Sequence, residues 1–187
     1  MYNYDFHKSI EQEELPQARR LAEYISQRIK PNVFLDFGCS SGLYLREIKR
    51  TMPAIESKGF EFSEEAVKNA LCPDVIQYDL TYPLSLEKKE NTLGMCLEVL
   101  EHISEEDWQP VLMNLTKLCD RILFSAAFPG QGGTGHINCR NKIDWIRRFH
   151  SLGWVVDLDA TKDILQHMKA GYHMGWFYIN AMVLVKA

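Results

Sequence analysis

Apolar and polar positions along the chain switch between two periods. Over residues 16–29, Leu21, Tyr24, Ile25 and Ile29 recur three and four apart, the spacing of one helical face, and Pro16 suits a first turn. NVFLDF (32–37) then runs apolar into an aspartate and a glycine, which predicts a buried strand. Tyr44, Leu45, Ile48 and Met52 return to helical spacing. SKGFEF (57–62), VIQYD (75–79), TLGMCLE (92–98) and RILFSA (121–126) predict further strands. Ser63, Glu64 and Glu65 open a short helix after the first of these, and Ser104 with Glu105, Glu106 and Asp107 opens another over 104–118. Acids in a first turn suit the positive end of the helix dipole. A helix over 141–152 shows Trp145, Ile146, Phe149 and Leu152 on one face and stops at Gly153. WVVDLD (154–159) and FYINAMVLVK (177–186) predict the last strands, with a short helical stretch around 164–168 between them.

Strand and helix alternating in order imply right-handed crossovers and an α/β fold: a doubly wound, mainly parallel sheet covered on both faces. In such sheets ligands lie beyond the carboxyl ends of the strands, so the loops after strands one to five are where chemistry is expected. At 187 residues the chain is expected to be a single domain, 1–187, with a flap and helix (1–30) ahead of the sheet (31–187). The 21 basic residues against 25 acidic ones, net −4, disfavour a binder of long nucleic acid. The charged N-terminus is no signal peptide and no apolar run approaches the ~18–20 residues of a membrane span, so a cytoplasmic protein away from membranes is expected. Cys39, Cys72, Cys96, Cys119 and Cys139 are odd in number and form no CxxC, which argues against structural zinc or a disulfide framework.

LDFGCSSG (35–42) closes the first predicted strand, with glycines at 38 and 42 that permit a tight turn and close ligand approach. Three readings compete with a merely structural turn. GCSSG spells a nucleophile elbow with Ser40 as the nucleophile of a serine hydrolase, but several strands and an oxyanion loop should precede it. A nicotinamide fingerprint would need a third glycine where Leu43 stands. Glu61 lies 23 residues after Gly38, close to the ~20 expected of a carboxylate gripping ribose hydroxyls. Together these ask for a nucleoside ligand without strong phosphate recognition.

In this order and spacing, LDFGCSSG, GFEFS around Glu61, QYDL with Asp79 and CLEVLEHI resemble the class I S-adenosylmethionine-dependent methyltransferases over nearly the whole chain. The resemblance implies a Rossmann-like seven-stranded sheet, mainly parallel, closing on a C-terminal antiparallel hairpin. It implies S-adenosylmethionine as cofactor and S-adenosylhomocysteine as product. Asp36, Gly38, Cys39, Ser40 and Gly42 would wrap the methionine portion and ribose edge; Ser40 departs from the commoner middle glycine. Glu61 would take both ribose hydroxyls, Phe62 would pack on the adenine, Asp79 would accept from its amino group, and Leu80 would supply a backbone donor. Leu97 and Glu98 would lie beside the sulfonium, a cation better tolerated near carboxylates than near the lysines of a phosphate site.

Glu98, Glu101 and His102 spell E-x-x-E-H, which on a helical turn shares one face. That motif resembles metal-assisted O-methyltransferases, including small-RNA 3′-end and ubiquinone-pathway enzymes, in which another histidine comes from beyond strand five; His136 in PGQGGTGHINCR (129–140) is the candidate. Two readings stand: Mg2+ or Mn2+ held by Glu98, Glu101, His102 and His136, or His102 or His136 as a general base. His7, His150, His167 and His173 are expected at the surface or in packing. The four-glycine loop 129–140 and an N-terminal flap with Tyr2, Tyr4, Phe6 and His7 would read the acceptor, and Arg140, Lys142, Arg147 and Arg148 would either receive an anionic acceptor or form a solvated helix face. The expected activity is O-methylation of a small metabolite or glycan-type acceptor by a monomer or homodimer, the alternative an RNA-end or protein methyltransferase.

Overall fold

The computed structural model describes residues 4–169 and 175–187. Helix α1 (Tyr4–Tyr24) and a π-helical turn (Ile25–Ile29) precede β1 (Val33–Phe37), α2 (Leu43–Thr51), β2 (Glu56–Glu61), α3 (Glu64–Lys68) and β3 (Val75–Gln77). β4 (Thr92–Leu97), a 3-10 turn (Leu100–His102), α4 (Trp108–Leu118), β5 (Arg121–Ser125) and α5 (Lys142–Ser151) follow. The chain closes with β6 (Trp154–Val156), α6 (Leu158–Lys169), α7 (Gly175–Asn180) and β7 (Met182–Lys186). Seven strands form one sheet in the order β3-β2-β1-β4-β5-β7-β6. The first five are parallel, and β7 runs antiparallel between β5 and β6, so the expected doubly wound α/β sheet with an antiparallel C-terminal pair is present.

Strand side chains alternate faces, and β1 shows what that does here. Val33, Leu35 and Phe37 join Phe60, Leu115, Phe124, Trp145 and Phe149 under α4 and α5. Phe34 joins Leu21, Ile25, Leu45 and Ile48 under α1 and α2. Each fully buried large apolar side chain contributes roughly 1.5–3 kcal/mol, and both layers hold β1 at the centre. All five cysteines are free thiols. Among the described residues no helix is long and apolar enough to cross a membrane.

Three local expectations need correction. Helix α1 begins twelve residues ahead of Pro16, which lies inside it; its polar first turns show no apolar stripe from which periodicity could be read. WVVDLD is strand only to Val156, because Asp157 caps α6: its Oδ1 accepts from the Ala160 amide at 2.9 Å. In FYINAMVLVK the aromatic and branched residues mimic a strand, yet 177–180 complete α7 and only Met182–Lys186 pairs with the sheet. That last difference delivers Asn180 to the site. Tyr2 and His173 lie outside the described residues, as do the side chains of Tyr4, Phe6 and His7.

Candidate active site

The turn after β1 uses left-handed backbone at Gly38, Ser40 and Gly42 (φ 82°, 49° and 81°). At Gly38 glycine is also demanded by space, since a Cβ would stand 2.4 Å from Val99 Cγ2. The amides of Gly38 and Cys39 both donate to the Phe60 carbonyl (2.8 and 3.1 Å), tying the turn to β2. Glu61 ends β2 with each oxygen engaged: Oε2 accepts from the Ser40 amide at 2.8 Å and Oε1 from the Ser63 amide at 2.7 Å. Ser63 in turn caps α3, its hydroxyl accepting from the Ala66 amide. The next residue, Phe62, is 72% exposed. Asp79 caps its own loop, Oδ1 accepting from the Thr81 amide and hydroxyl (3.0 and 2.7 Å), while Leu80 is buried and its carbonyl accepts from Asn114 Nδ2. Asp36 is 2% exposed with Oδ2 unpartnered; burial, then the nearby Glu61 and Glu14 carboxylates, push its carboxyl well above the usual range.

Beyond β4 the chemistry changes. Glu98 adopts φ 54°, unusual for a residue with a Cβ, and its amide donates to the Ser125 carbonyl and hydroxyl. This kink throws the chain into the 3-10 turn, so E-x-x-E-H is not one helical face. The Glu98 carboxylate instead accepts from Gln131 Nε2 at 2.5 Å and from Asn180 Nδ2 at 3.2 Å, and Asn180 Nδ2 also reaches Gln131 Oε1 at 2.9 Å. Neither amide stood out in the sequence; the only local sign was Gln131 as the polar side chain among the glycines of PGQGG.

Glu101 is 0% exposed and neither carboxylate oxygen has a hydrogen-bond partner. Burial, and secondarily the charge of Glu98, raise its pKa to about 8. Its carbonyl accepts from the Ile137 and Asn138 amides (2.8 and 3.0 Å) and so pins the loop that carries His136. His136 Nε2 lies 3.9 Å from Glu101 Oε1, and the His102 and His136 rings meet edge to face with centroids 5.0 Å apart. His102 Nδ1 is 3.1 Å from the Gly135 carbonyl and His136 Nδ1 3.3 Å from the Gln131 carbonyl. Carbonyls only accept, so the His102 contact assigns its proton to Nδ1 and makes Nε2 the basic nitrogen of that neutral ring, whereas His136 Nδ1 also lies 3.6 Å from the Cys139 thiol. Burial lowers the His102 pKa, which favours that neutral form. A Cβ on Gly133 would fall 2.2 Å from His136 Nε2, so the glycine lets the loop lie against this ring.

One ligand atom each from Glu101, His102 and His136 lies within 4.8 Å of the others. A buried carboxylate with two orphaned oxygens beside two imidazoles fits a divalent cation. Glu98 stands outside that cluster. The donor set is therefore richer in nitrogen than Mg2+ favours and nearer to what Mn2+ accepts. The four basic residues after the loop have protein partners: Arg140 and Arg148 both bind Glu105, Arg148 stacks on Trp108 at 3.8 Å, Lys142 donates to the Ala181 carbonyl, and Arg147 pairs with Asp144. His150 is exposed, and half-buried His167 exchanges hydrogen bonds with Arg20.

This sheet order, with a glycine turn after β1 and carboxylates after β2 and β4, is the fold of the class I S-adenosylmethionine-dependent methyltransferases. The chain is similar to magnesium protoporphyrin IX methyltransferase (ChlM) from Synechocystis PCC 6803 with bound SAH (16% identity, 100% of this chain and 89% of that one, TM-score 0.66). It is similar to DesVI of Streptomyces venezuelae (14%, 98% and 97%, TM-score 0.71). It is also similar to the O-methyltransferase of a trans-AT polyketide synthase of Brevibacillus brevis in complex with S-adenosyl-L-homocysteine (15%, 92% and 72%, TM-score 0.64). No protein-family model and no curated protein matches it.

Proposed function

We propose that this protein transfers the methyl group of S-adenosylmethionine to an oxygen of a small-molecule acceptor. Glu61 carries the reading: a carboxylate locked by two backbone amides at the end of β2, beside the glycine turn, is preorganised for a ribose diol. Structural neighbours that hold SAH in the same fold support it, one of them an O-methyltransferase. Asp79, Leu80 and Phe62 are the residues for the adenine; Asp36, Gly38, Cys39, Ser40 and Gly42 serve the methionyl and ribose side, with Leu97 and Glu98 flanking the sulfonium.

In the reaction the acceptor oxygen attacks the methyl carbon in line, the carbon–sulfur bond breaks, and S-adenosylhomocysteine leaves with the electron pair. The acceptor's proton passes to Nε2 of His102 or His136. The carbonyl-bound Nδ1 of His102 holds that ring in the tautomer a base needs. In the alternative reading, a divalent ion held by Glu101, His102 and His136 would take up these imidazole nitrogens and supply Lewis-acid polarisation of the acceptor oxygen in place of a histidine base. Gln131 and Asn180 hold Glu98 and close the wall between the cofactor end and the loop.

Calorimetry with S-adenosylhomocysteine tests the first half, and a screen of hydroxylated acceptors for its formation from S-adenosylmethionine tests the second. Absence of binding overturns the reading. Steeply salt-dependent acceptor binding would replace the small molecule by an RNA end, and labelling of Ser40 by a fluorophosphonate would favour the hydrolase.

A further inference from the structure

We propose that a cavity between the end of α1, the start of β5 and α6 is a second ligand site, built for a free α-amino acid with an apolar side chain. It lies at the amino end of β5, whereas Glu61 and Glu98 follow the carboxyl ends of β2 and β4. A cofactor at the carboxyl ends would leave it free.

Strand β5 reads RILFS. Ile122 and Phe124 pack on the α4/α5 side of the sheet, and Leu123 joins Leu21, Ile25, Ile164 and Val183 on the other. Alternation places Arg121 on the Leu123 side, where the strand begins and the apolar layer ends. A cavity of about 360 Å³ opens there, inside the ~300–1,000 Å³ range of small-ligand pockets. Beside Arg121, the π-helical turn that follows α1 lends Arg28 and Ile29, and α6 lends Asp159 and Asp163, one turn apart on a single face.

The charges around this cavity are unmatched. Elsewhere the arginines have partners: Arg19, Arg46 and Arg50 share Glu47, Arg140 and Arg148 share Glu105, Arg147 pairs with Asp144, and Arg20 donates to the His167 carbonyl. Among the described residues Arg28 and Arg121 have neither a salt bridge nor a side-chain hydrogen bond, and Arg121 Nε is buried without an acceptor. Asp159 and Asp163 line the same cavity yet pair with neither arginine; Asp163 Oδ2 accepts only from the Tyr24 hydroxyl, at 3.0 Å. A desolvated guanidinium N–H calls for an acceptor, and its planar fork matches a carboxylate. Two carboxylates on one helix face call for a cation, and an ammonium brings three donors. A simple anion would meet the repulsion of both aspartates, and a simple amine would leave Arg121 as it is. An α-amino acid answers both sets at once, and Ile29 and Val183 offer its side chain an apolar wall.

Calorimetry on the full chain tests this with L-leucine and two analogues that each lack one charge, 4-methylpentanoate and 3-methylbutylamine. L-leucine is expected to bind about tenfold or more tighter than either, because each analogue forfeits charge-assisted hydrogen bonds. Arg121→Met should weaken L-leucine by about tenfold and leave 3-methylbutylamine unchanged. Asp159→Asn, at an exposed position where the fold should be unaffected, should weaken L-leucine several-fold and narrow its lead over 4-methylpentanoate. Saturating S-adenosylhomocysteine should leave L-leucine affinity as it was. No binding by L-leucine, L-methionine or L-phenylalanine overturns the inference. So does 4-methylpentanoate binding as tightly as L-leucine, unchanged L-leucine affinity in both variants, or displacement of L-leucine by S-adenosylhomocysteine. A protein that binds L-leucine in this pattern but no S-adenosylhomocysteine keeps this site and loses the cofactor reading alone.

Discussion

Glu61 and Glu101 are carboxylates beyond neighbouring regions of the same sheet, and the fold treats them in opposite ways. Glu61 has both oxygens on backbone amides, from the glycine turn on one side and the α3 cap on the other. Glu101 is fully buried with neither oxygen hydrogen-bonded, and its pKa is raised to about 8. A carboxylate bound by two amides is finished before a ligand arrives, so the end proposed for the nucleoside is a socket built on backbone amides. An unpartnered buried one is stable only as the neutral acid or beside a cation. The end proposed for catalysis is thus left incomplete, with its two imidazoles beside Glu101.

The sharpest way to separate the two ends is His136→Ala. Loss of a general base or ligand should lower turnover by about 10²–10⁴-fold, with S-adenosylhomocysteine affinity unchanged because nothing at the Glu61 end moves. Methyl-transfer rates and calorimetry on the same preparation read both numbers. A matching loss of cofactor affinity would show that the ends are not independent.

Glu101→Gln probes the unfinished end through stability. The ordinary carboxylate value is 4.5 and the folded value about 8, so between these the native state binds the extra proton and wild-type stability falls as pH rises, levelling off above about 8. The uncharged amide removes this slope. In chelator-treated protein the variant should match wild type near pH 5 and exceed it at pH 8.5 by roughly 2–4 kcal/mol, less whatever solvent relaxation recovers; Glu14, whose pKa burial raises to about 7, contributes a slope of the same sign to both. Mn2+ should raise the wild-type melting temperature and release protons near pH 7, and should do neither in the variant. Parallel pH profiles would mean that Glu101 is not the uncompensated group.

The Glu61 end was the more legible in the sequence because its signals are local. A buried apolar run ending in LDFGCSSG marks a strand and its turn, and the distance to Glu61 is one strand–helix–strand step. The other end is built from residues far apart. Gln131 and Asn180 meet Glu98 only because the 129–140 loop folds back on the Glu101 carbonyl and α7 ends where β7 begins. Periodicity even misread two of these pieces. FYIN has strand-forming residues but packs Phe177 and Ala181 as a helical pair, and E-x-x-E-H reads as one face until the left-handed turn at Glu98 is known. Propensity lost to tertiary packing in the first case, and in the second to a backbone angle no spacing encodes.

A smaller effect is expected at the finished end itself. In Glu61→Gln one oxygen becomes an NH2 that must face the Ser40 or the Ser63 amide, donor against donor. Affinity for both S-adenosylhomocysteine and methylthioadenosine should fall together, by about 10–100-fold, from one good hydrogen bond lost and one repulsive contact made. Unchanged binding of methylthioadenosine would break the assignment of Glu61 to the ribose.

The least expensive change lies on the seam between the ends. Gln131 donates to Glu98 and accepts from Asn180, so Gln131→Ala removes one charge-assisted and one neutral hydrogen bond and loosens the loop around residue 131. Glu98 keeps Asn180 and water can enter the vacated space, which limits the stability loss to about 1 kcal/mol, or a few degrees of melting temperature. The loop remains pinned by the Glu101 carbonyl through Ile137 and Asn138. His136, however, loses a fixed partner, because the carbonyl it uses belongs to residue 131. The expected signature is a several-fold rise in acceptor KM with S-adenosylhomocysteine affinity held constant. If cofactor affinity falls as far as acceptor affinity, the seam belongs to the nucleoside socket, and the division drawn between Glu61 and Glu101 has been placed one strand too late.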